Sequence, residues 1–477
     1  MMDIKQKTIT GLTWSAIERF SVQIVQFVVQ IIIARLLFPS DYGMISMLAI
    51  FMALAQTFTE GGFGNALIQK KDRTNTDYST VFYFNICMGV ILSIIFFLSS
   101  GIISRFYEMD ELKPIIQVMS VNLIILSFQV IQKTILTIRI DFKTQAKASL
   151  IGVVIGGIIG IIMAYKGYGA WSLVAQFTII NIIQTSLFWY FVKWKPLREF
   201  SKASFKRLFN FGSKILAANL LHTIYLNLYT LVIGKQFSAT TLGYYSRADQ
   251  FAQFPSSNIT GILWKVTYPI MSEIQDDNQQ LKQLYRQYIK LSAFIVFPLM
   301  VGLAAVAEPF IITILTDKWK GIVPILQIIS FYYMLYPLNA INQNLMQVKG
   351  RSDLFFRLEV IKKIIGIALL FISLPFGIYY VCLSLIVYGL INLAINTYFT
   401  SKLIDFNIRE QVADISKILI ISIIMGIMVY SINLTTLSNI PKLLIGIIIG
   451  AITYPLLSHI AKIPELKTLR NLVKSKR

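Results

Sequence analysis

The chain has 477 residues, of which 56% are hydrophobic and only 14% are charged. A water-soluble protein of this length needs many more polar side chains to cover its core, so the composition excludes a soluble globular fold and predicts a polytopic membrane protein. The two cysteines lie inside apolar segments. Together with the two histidines they predict no disulfide framework and no metal site, and we expect no cofactor.

Fourteen apolar segments are long enough to cross about 30 Å of hydrocarbon as helices. They are 12–37, 42–68, 78–101, 114–136, 147–165, 169–192, 208–233, 242–270, 287–307, 322–346, 356–374, 376–399, 415–434 and 442–460. The eighth segment is rich in polar residues, and only Pro375 and Gly377 mark the boundary between the eleventh and the twelfth. No small-residue cleavage site follows the N-terminal Met1 to Lys7 stretch, so we expect no signal peptide.

The basic residues alternate from loop to loop. With the N-terminus on one side of the membrane, that side collects 32 Lys and Arg residues, and the opposite side collects 8. Cytoplasmic loops carry the excess of positive charge in membrane proteins, so both termini are predicted to be cytoplasmic. The net charge of +21 therefore reflects topology, and we expect no nucleic-acid partner.

The sequence contains an internal repeat. Residues of the first hairpin return 200 positions later, in the pairs Arg35 and Lys235, Gly43 and Gly243, and Gly61 and Gly261. The stretch 114–120 resembles 324–330, at an offset of 210. Each repeat holds six spans, and an even number keeps both copies in the same orientation. We therefore expect an all-α protein with two six-helix lobes, at 1–200 and 201–400, followed at 401–477 by two further helices and a basic cytoplasmic tail.

The first segment carries a polar stripe on one helical face. The stripe consists of Ser15, Arg19, Gln23, Gln26 and Gln30. Such groups are costly in a membrane helix unless they face a wet cavity or a polar partner, so the arginine and the glutamines are candidate substrate-binding residues. Glu18 and Glu60 are candidates for gating or ion coupling, and Gly61 and Gly62 weaken the helix after Glu60. A structural Arg19–Glu60 ion pair is the alternative.

The eighth segment is polar on two faces. Arg247 and Asn258 share one face and are candidate cavity residues, whereas Asp249 lies on another and is a candidate for gating or ion coupling. Pro255 interrupts the helical hydrogen bonding in the middle of the segment. The alternatives are structural roles: Arg247 pairs with a carboxylate, and Lys133 and Lys265 extend their ammonium groups to the membrane surface.

Four stretches resemble bacterial lipopolysaccharide and exopolysaccharide flippases. They are 14–20 (WSAIERF), 34–43 (ARLLFPSDYG), 62–70 (GFGNALIQK) and 242–255 (LGYYSRADQFAQFP). These flippases form the polysaccharide-transporter branch of the superfamily that also contains multidrug-and-toxin extruders (MATE) and lipid II flippases, and the resemblance covers nearly the whole chain. Lipid II flippases carry an arginine where this chain has Gln250; Arg247 lies one turn earlier on nearly the same face.

The resemblance implies a MATE-like two-lobed fold and alternating access. The implied cargo is an undecaprenyl-diphosphate-linked oligosaccharide, an O-antigen, capsule or exopolysaccharide repeat unit, moved from the cytoplasmic to the outer leaflet of the bacterial cytoplasmic membrane. Membrane lipids, a coupling ion (H⁺ or Na⁺) and polysaccharide polymerase or export proteins are the expected partners. We expect no enzymatic activity. The alternatives are a multidrug or cation antiporter of the same fold and a membrane-integral polysaccharide enzyme.

Overall fold

The computed structural model describes residues 21–467, which form helices joined by short loops and contain no β-strand within that range. The helices are α1 (Ser21–Leu36), α2 (Pro39–Glu60), α3 (Phe63–Gln69), α4 (Asn75–Tyr107), α5 (Leu112–Ile138), α6 (Phe142–Tyr165), α7 (Ala170–Val192), α8 (Lys202–Gln236), α9 (Ala239–Glu273), α10 (Asn278–Ala305), α11 (Ala307–Ile314), α12 (Ile322–Val348), α13 (Ser352–Ser373), α14 (Ile378–Ile404), α15 (Ile408–Tyr430) and α16 (Asn439–Ile460).

The predicted all-α membrane fold is confirmed. Within residues 21–467, eleven helices are long and apolar enough to cross a membrane, one of them α2 and α3 taken together. The other three predicted segments correspond to α1, of which 16 residues are described, and to α9 and α13. The polar residues of α9 and the charged residues of α13 keep these two helices out of the eleven, and the count of fourteen spans remains a prediction.

The helix boundaries follow the internal repeat. Helices α1 and α8 end at Leu36 and Gln236, and α2 and α9 begin at Pro39 and Ala239. Helices α5 and α12 each span 27 residues and begin 210 positions apart, at residues 112 and 322. The repeat seen in the sequence is therefore a repeat of helices. Helices α4 and α10 begin 203 positions apart, so most of the change in offset arises between the starts of α10 and α12, where the short helix α11 lies.

The starts of α2 and α9 contact each other through backbone atoms. A Cβ atom on Gly43 would lie 1.8 Å from the carbonyl oxygen of Ala239, and one on Gly243 would lie 1.9 Å from the carbonyl oxygen of Pro39. The contact is reciprocal because each glycine meets the first residue of the other helix. Only glycine permits so close a crossing of two backbones.

The chain divides into two compact units between Gly243 and Tyr244. In the first unit, α8 packs against α2 and α3, and aromatic and aliphatic side chains from α3 to α8 form a core around Phe63, which is 1% exposed. The predicted lobe boundaries at 200 and 400 derive from the repeat and remain a prediction.

The second unit contains the two C-terminal helices that follow the repeats. Arg286 on α10 makes a two-pronged ion pair with Asp414 on α15, with N–O distances of 2.7 and 2.8 Å, and Lys290 adds a third contact of 3.0 Å. The Asp414 side chain is only 8% exposed. These charge-assisted hydrogen bonds hold α15 firmly against α10.

Candidate functional site

A cavity of about 230 Å³ lies within the first unit, between the end of α2, α3, α5 and α8. Its polar lining consists of Gln56, Thr59, Glu60, Asn65, Gln129, Lys133, Thr134, Thr137 and Asn219. Lys133 and Thr137 belong to the last two turns of α5, which precede a loop predicted to be cytoplasmic. The cavity is large enough for several water molecules and has the ionic and amide groups to bind them.

The α2–α3 break brings Glu60 to the cavity. Gly61 and Gly62 have φ values of 56° and 69°, in the left-handed region that favours glycine, so α2 ends after Glu60 and α3 begins at Phe63. A Cβ on Gly62 would lie 2.4 Å from the carbonyl oxygen of Gly212 on α8. The Gln56 amide donates a 3.2 Å hydrogen bond to the Glu60 carboxylate. The predicted weakening of the helix after Glu60 is confirmed.

Helix α5 contributes a polar stripe to the cavity that our sequence analysis missed. Gln129, Lys133 and Thr137 are spaced four residues apart and line the same wall. The buried Oε1 atom of Gln129 has no hydrogen-bond partner in the described part of the chain. In the sequence, Lys133 is interpreted only as a residue near a helix end. Gln129 and Thr137, four residues before and after it, are the signal that Lys133 belongs to a polar stripe.

Helix α8 places repeat counterparts of the first polar stripe beside α2. Asn219, the counterpart of Arg19, lines the cavity together with Glu60. Thr223, the counterpart of Gln23, lies on the same helix, and its hydroxyl oxygen is 3.2 Å from that of Thr57 on α2. The polar face of α8 therefore faces the end of α2.

The first polar stripe itself is only partly described, because Ser15, Glu18 and Arg19 lie outside residues 21–467. The Gln30 amide donates a 3.3 Å hydrogen bond to the side-chain oxygen of Gln176 on α7. Gln26 is exposed, and the buried Oε1 atom of Gln23 meets no hydrogen-bond donor among the described residues. Only Gln30 thus has a partner assigned on a neighbouring helix, and the predicted Arg19–Glu60 pair remains a prediction.

The candidate residues of α9 separate into two groups. The Asp249 carboxylate accepts a 2.8 Å hydrogen bond from the hydroxyl of Tyr333 on α12, and the Ser256 hydroxyl donates one of 2.7 Å to the Tyr333 carbonyl oxygen. Arg247 donates a hydrogen bond to the Gln250 side chain, and the Asn258 amide donates one to the Phe254 carbonyl oxygen, both acceptors lying on α9 itself. The Asp249 carboxylate and the Ser256 hydroxyl thus connect α9 to α12.

No group of three or more His, Cys, Asp or Glu side chains within residues 21–467 is placed to hold a metal ion. The groups gathered at the cavity are amides, hydroxyls, one carboxylate and one ammonium. They suit reversible binding of a polar, hydrated molecule, because they can replace its hydrogen bonds to water.

Residues 32–324 match the family model described as "Polysaccharide biosynthesis protein". The chain is 25% identical over 461 residues to the teichuronic acid biosynthesis protein TuaB of Bacillus subtilis (strain 168), a match that covers 95% of each. It is also 25% identical over 363 residues to the lipopolysaccharide biosynthesis protein WzxC of Escherichia coli (strain K12), covering 76% of this chain and 74% of that protein.

Two solved structures share the fold. The lipid II flippase MurJ, in an inward closed conformation, superimposes with a TM-score of 0.76 at 19% identity, over 96% of this chain and 99% of that one. An inward-facing MATE-family multidrug resistance transporter gives 0.60 at 13% identity, over 81% and 98%. The predicted MATE-like fold is confirmed, and the chain belongs to the polysaccharide biosynthesis protein family.

Proposed function

We propose that the protein is a flippase that moves a polyprenyl-diphosphate-linked oligosaccharide from the cytoplasmic to the outer leaflet by alternating access. It acts in the bacterial cytoplasmic membrane with both termini in the cytoplasm. The observation that carries the proposal is a cavity of ionic and amide groups near the predicted cytoplasmic ends of membrane helices, in a chain whose family and relatives are named for polysaccharide biosynthesis.

The candidate arginines and amides can replace the hydration that the cargo loses when it leaves water. A diphosphate with its sugars cannot enter hydrocarbon without losing hydration worth many kcal/mol. Arginine replaces that hydration well, because its planar guanidinium binds phosphate through two hydrogen bonds. Arg19 and Arg247 act as two separate phosphate stations. The amides of Gln23, Gln26, Gln30 and Asn258 bind the sugars and the remaining phosphate oxygens.

The candidate carboxylates do not bind the phosphates of the cargo as the arginines do. Glu18, Glu60 and Asp249 act in gating or ion coupling, since carboxylates repel the phosphate cargo and bind protons or cations. The protein transports and performs no covalent chemistry. An ion gradient drives the cycle, and polymerase or export proteins receive the glycan in the outer leaflet.

The purified protein in liposomes tests the function directly. The liposomes contain a short fluorescent oligosaccharide linked to undecaprenyl diphosphate, and a reductant that cannot cross the membrane bleaches only the outward-facing probe. We expect the protein to make the protected fraction accessible much faster than protein-free liposomes do. A protein that leaves the lipid in place and moves a cationic dye instead would be an antiporter, contrary to the proposal.

Variants of the two arginines test their roles in the same assay. Arg19→Ala and Arg247→Ala should lose most of the activity per folded molecule, and the lysine variants should keep part of it because they keep the charge without the planar fork. The matched control is Lys166→Ala, which removes an exposed cation from the α6–α7 loop. Full activity of both alanine variants would exclude phosphate binding by these arginines.

A further inference from the structure

The second unit contains one buried cation. Lys362, in the middle of α13, is 2% exposed, and no other lysine or arginine among residues 21–467 is buried. Its ammonium forms an ion pair with Glu359, one turn earlier on the same helix, whose side chain is 27% exposed. The Lys362 end of the pair is therefore buried, and the Glu359 end is partly exposed.

Amide side chains from two other helices complete the cluster. The Lys362 ammonium donates a 3.3 Å hydrogen bond to the Oδ1 atom of Asn396 on α14, and Asn396 donates one of 2.9 Å to Asn339 on α12. Gln343, also on α12, donates one of 3.0 Å to the Glu359 carboxylate. Each charge of the pair thus holds one neighbouring helix, Lys362 holding α14 and Glu359 holding α12.

Few other charged groups lie on these helices. Helix α12 has none, and the only one on α14 is Lys402, whose ammonium lies 4.3 Å from the ring centroid of Tyr398. On α13, Asp353 pairs with Arg351 at 3.0 Å, and Arg357 and Lys363 are the remaining cations. The other titratable side chains of α12 and α14 are tyrosines and Cys382. On these three helices, all of them described, Glu359 is therefore the carboxylate that pairs with Lys362.

We propose that Glu359 and Lys362 form a proton-binding site that controls how α12, α13 and α14 pack together. The proposal supplies the proposed flippase with its coupling ion and in that respect rests on it. In the resting state Glu359 is a carboxylate and Lys362 an ammonium. A proton from water then binds a Glu359 oxygen, forming one O–H bond and breaking no bond between heavy atoms.

The added proton leaves the Lys362 ammonium buried without a counter-charge. A single buried ion costs several kcal/mol. The free energy of the protonated state therefore falls when the ammonium leaves Asn396 and α13 shifts against α14. A second acceptor lies one turn along α14, where the buried Oδ1 atom of Asn392 has no partner in the described part of the chain. Release of the proton from Glu359 restores the pair and the original packing.

A cargo-free experiment tests the site. Spin labels at two exposed positions, Ile364 on α13 and Leu390 on α14, report the distance between these helices in protein that lacks Cys87 and Cys382. We expect the distance distribution to change between neutral and acidic buffer. Glu359→Gln, which mimics the protonated carboxyl, should stay in the acidic distribution at both pH values. An unchanged distribution in the wild type would overturn the proposal, whatever the protein transports.

Flipping in liposomes, with and without an imposed proton gradient, tests the coupling. In Glu359→Gln and Lys362→Met we expect the response to the gradient to fall by about tenfold, within the usual range of coupling between linked sites. Lys362→Arg keeps the charge and should keep most of the response. Asp353→Asn makes the same chemical change as Glu359→Gln at an exposed site on the same helix and should respond like the wild type.

The outcomes of the two proposals are distinguishable. If the wild type moves no lipid at all, the proposed function fails, while the cargo-free distances still decide whether the proton site exists. If the wild type flips lipid and folded Glu359→Gln keeps the full gradient response, the proton site fails and the flippase stands.

Discussion

The buried carboxylate of Asp77 lies where several hydrogen-bond donors converge. Asp77, at the start of α4, is 0% exposed and accepts hydrogen bonds of 2.8 and 3.0 Å from the backbone and hydroxyl of Thr74. It also pairs with Lys70 and, at 3.4 Å, with Arg207 on α8. The carboxylate additionally faces the positive end of the α4 dipole. One side chain thus joins the end of α3, the start of α4 and α8.

Substitutions of Asp77 measure how much these converging hydrogen bonds and ion pairs contribute to the stability of the fold. We expect Asp77→Ala to lower the free energy of unfolding by about 3–5 kcal/mol, because it leaves Lys70 without its counter-ion and removes the Asp77 half of the α4 capping box. Asp77→Asn should cost less, since its side-chain oxygen still accepts from the backbone. Thermal unfolding of the detergent-solubilised protein measures both. The exposed Asp353→Ala is the control, and an equal effect of the two alanine substitutions would contradict the argument.

The sequence predicts the surroundings of some candidate residues and not of others. Glu60 was identified and lies in the cavity, because a carboxylate followed by two glycines is visible along the chain. Lys362 is one of the 32 cations on the predicted cytoplasmic side, and the structure shows that its side chain is buried. Five of the 22 residues of α13 are charged, so periodicity alone does not show which of them is inside. That depends on Asn396 and Asn339, which are distant in sequence.

At the scale of helices, the sequence pattern predicts where helices begin and end, whereas the structure shows which helices are in contact. The lengths of apolar segments predicted the helices, and the 200-residue offset predicted that hairpin boundaries would repeat. The offset did not show that Gly43 and Gly243 contact the opposite helix, because a sequence repeat says which residues are equivalent and not which are adjacent. Nor do equivalent glycines share a role. Gly61 ends α2, whereas Gly261 lies within the continuous α9.

Alanine substitutions at Gly43, Gly243 and Gly261 should have different effects on stability. We expect Gly43→Ala and Gly243→Ala each to lower stability by about 2 kcal/mol or more, because the new methyl group meets a backbone oxygen that no side-chain rotation can move. Gly261→Ala is the matched control: its Cβ would meet nothing within 4 Å, and alanine favours a helix by up to about 1 kcal/mol. The unfolding temperatures of the three variants measure this order. A destabilised Gly261→Ala with an unaffected Gly43→Ala would refute it.

At the scale of the whole molecule, charge distribution gives the orientation that packing alone does not. The predicted outer side carries few cations, and two of its charged residues pair there: the Lys235 ammonium lies 2.8 Å from the Glu108 carboxylate. This contact lowers the pKa of the exposed Glu108 carboxyl. Its small contribution to stability is therefore present above the ordinary pKa of glutamate and is lost as the pH falls. An acidic medium outside the cell would weaken the contact between the α4–α5 loop and α8.

Single-cysteine labelling in intact cells tests the orientation. In protein without Cys87 and Cys382, we expect a thiol reagent that cannot cross the membrane to label Glu108→Cys and Lys318→Cys but not Arg198→Cys. All three positions are exposed, so the result reports the side of the membrane and not burial. Position 198 follows α7, in a loop whose cluster of cations is the strongest topological signal in the chain. Detergent-permeabilised cells, in which all three cysteines should react, control for reactivity. Labelling at 198 but not at 108 would invert the predicted topology, and with it the assignment of the Glu60 cavity to the cytoplasmic side.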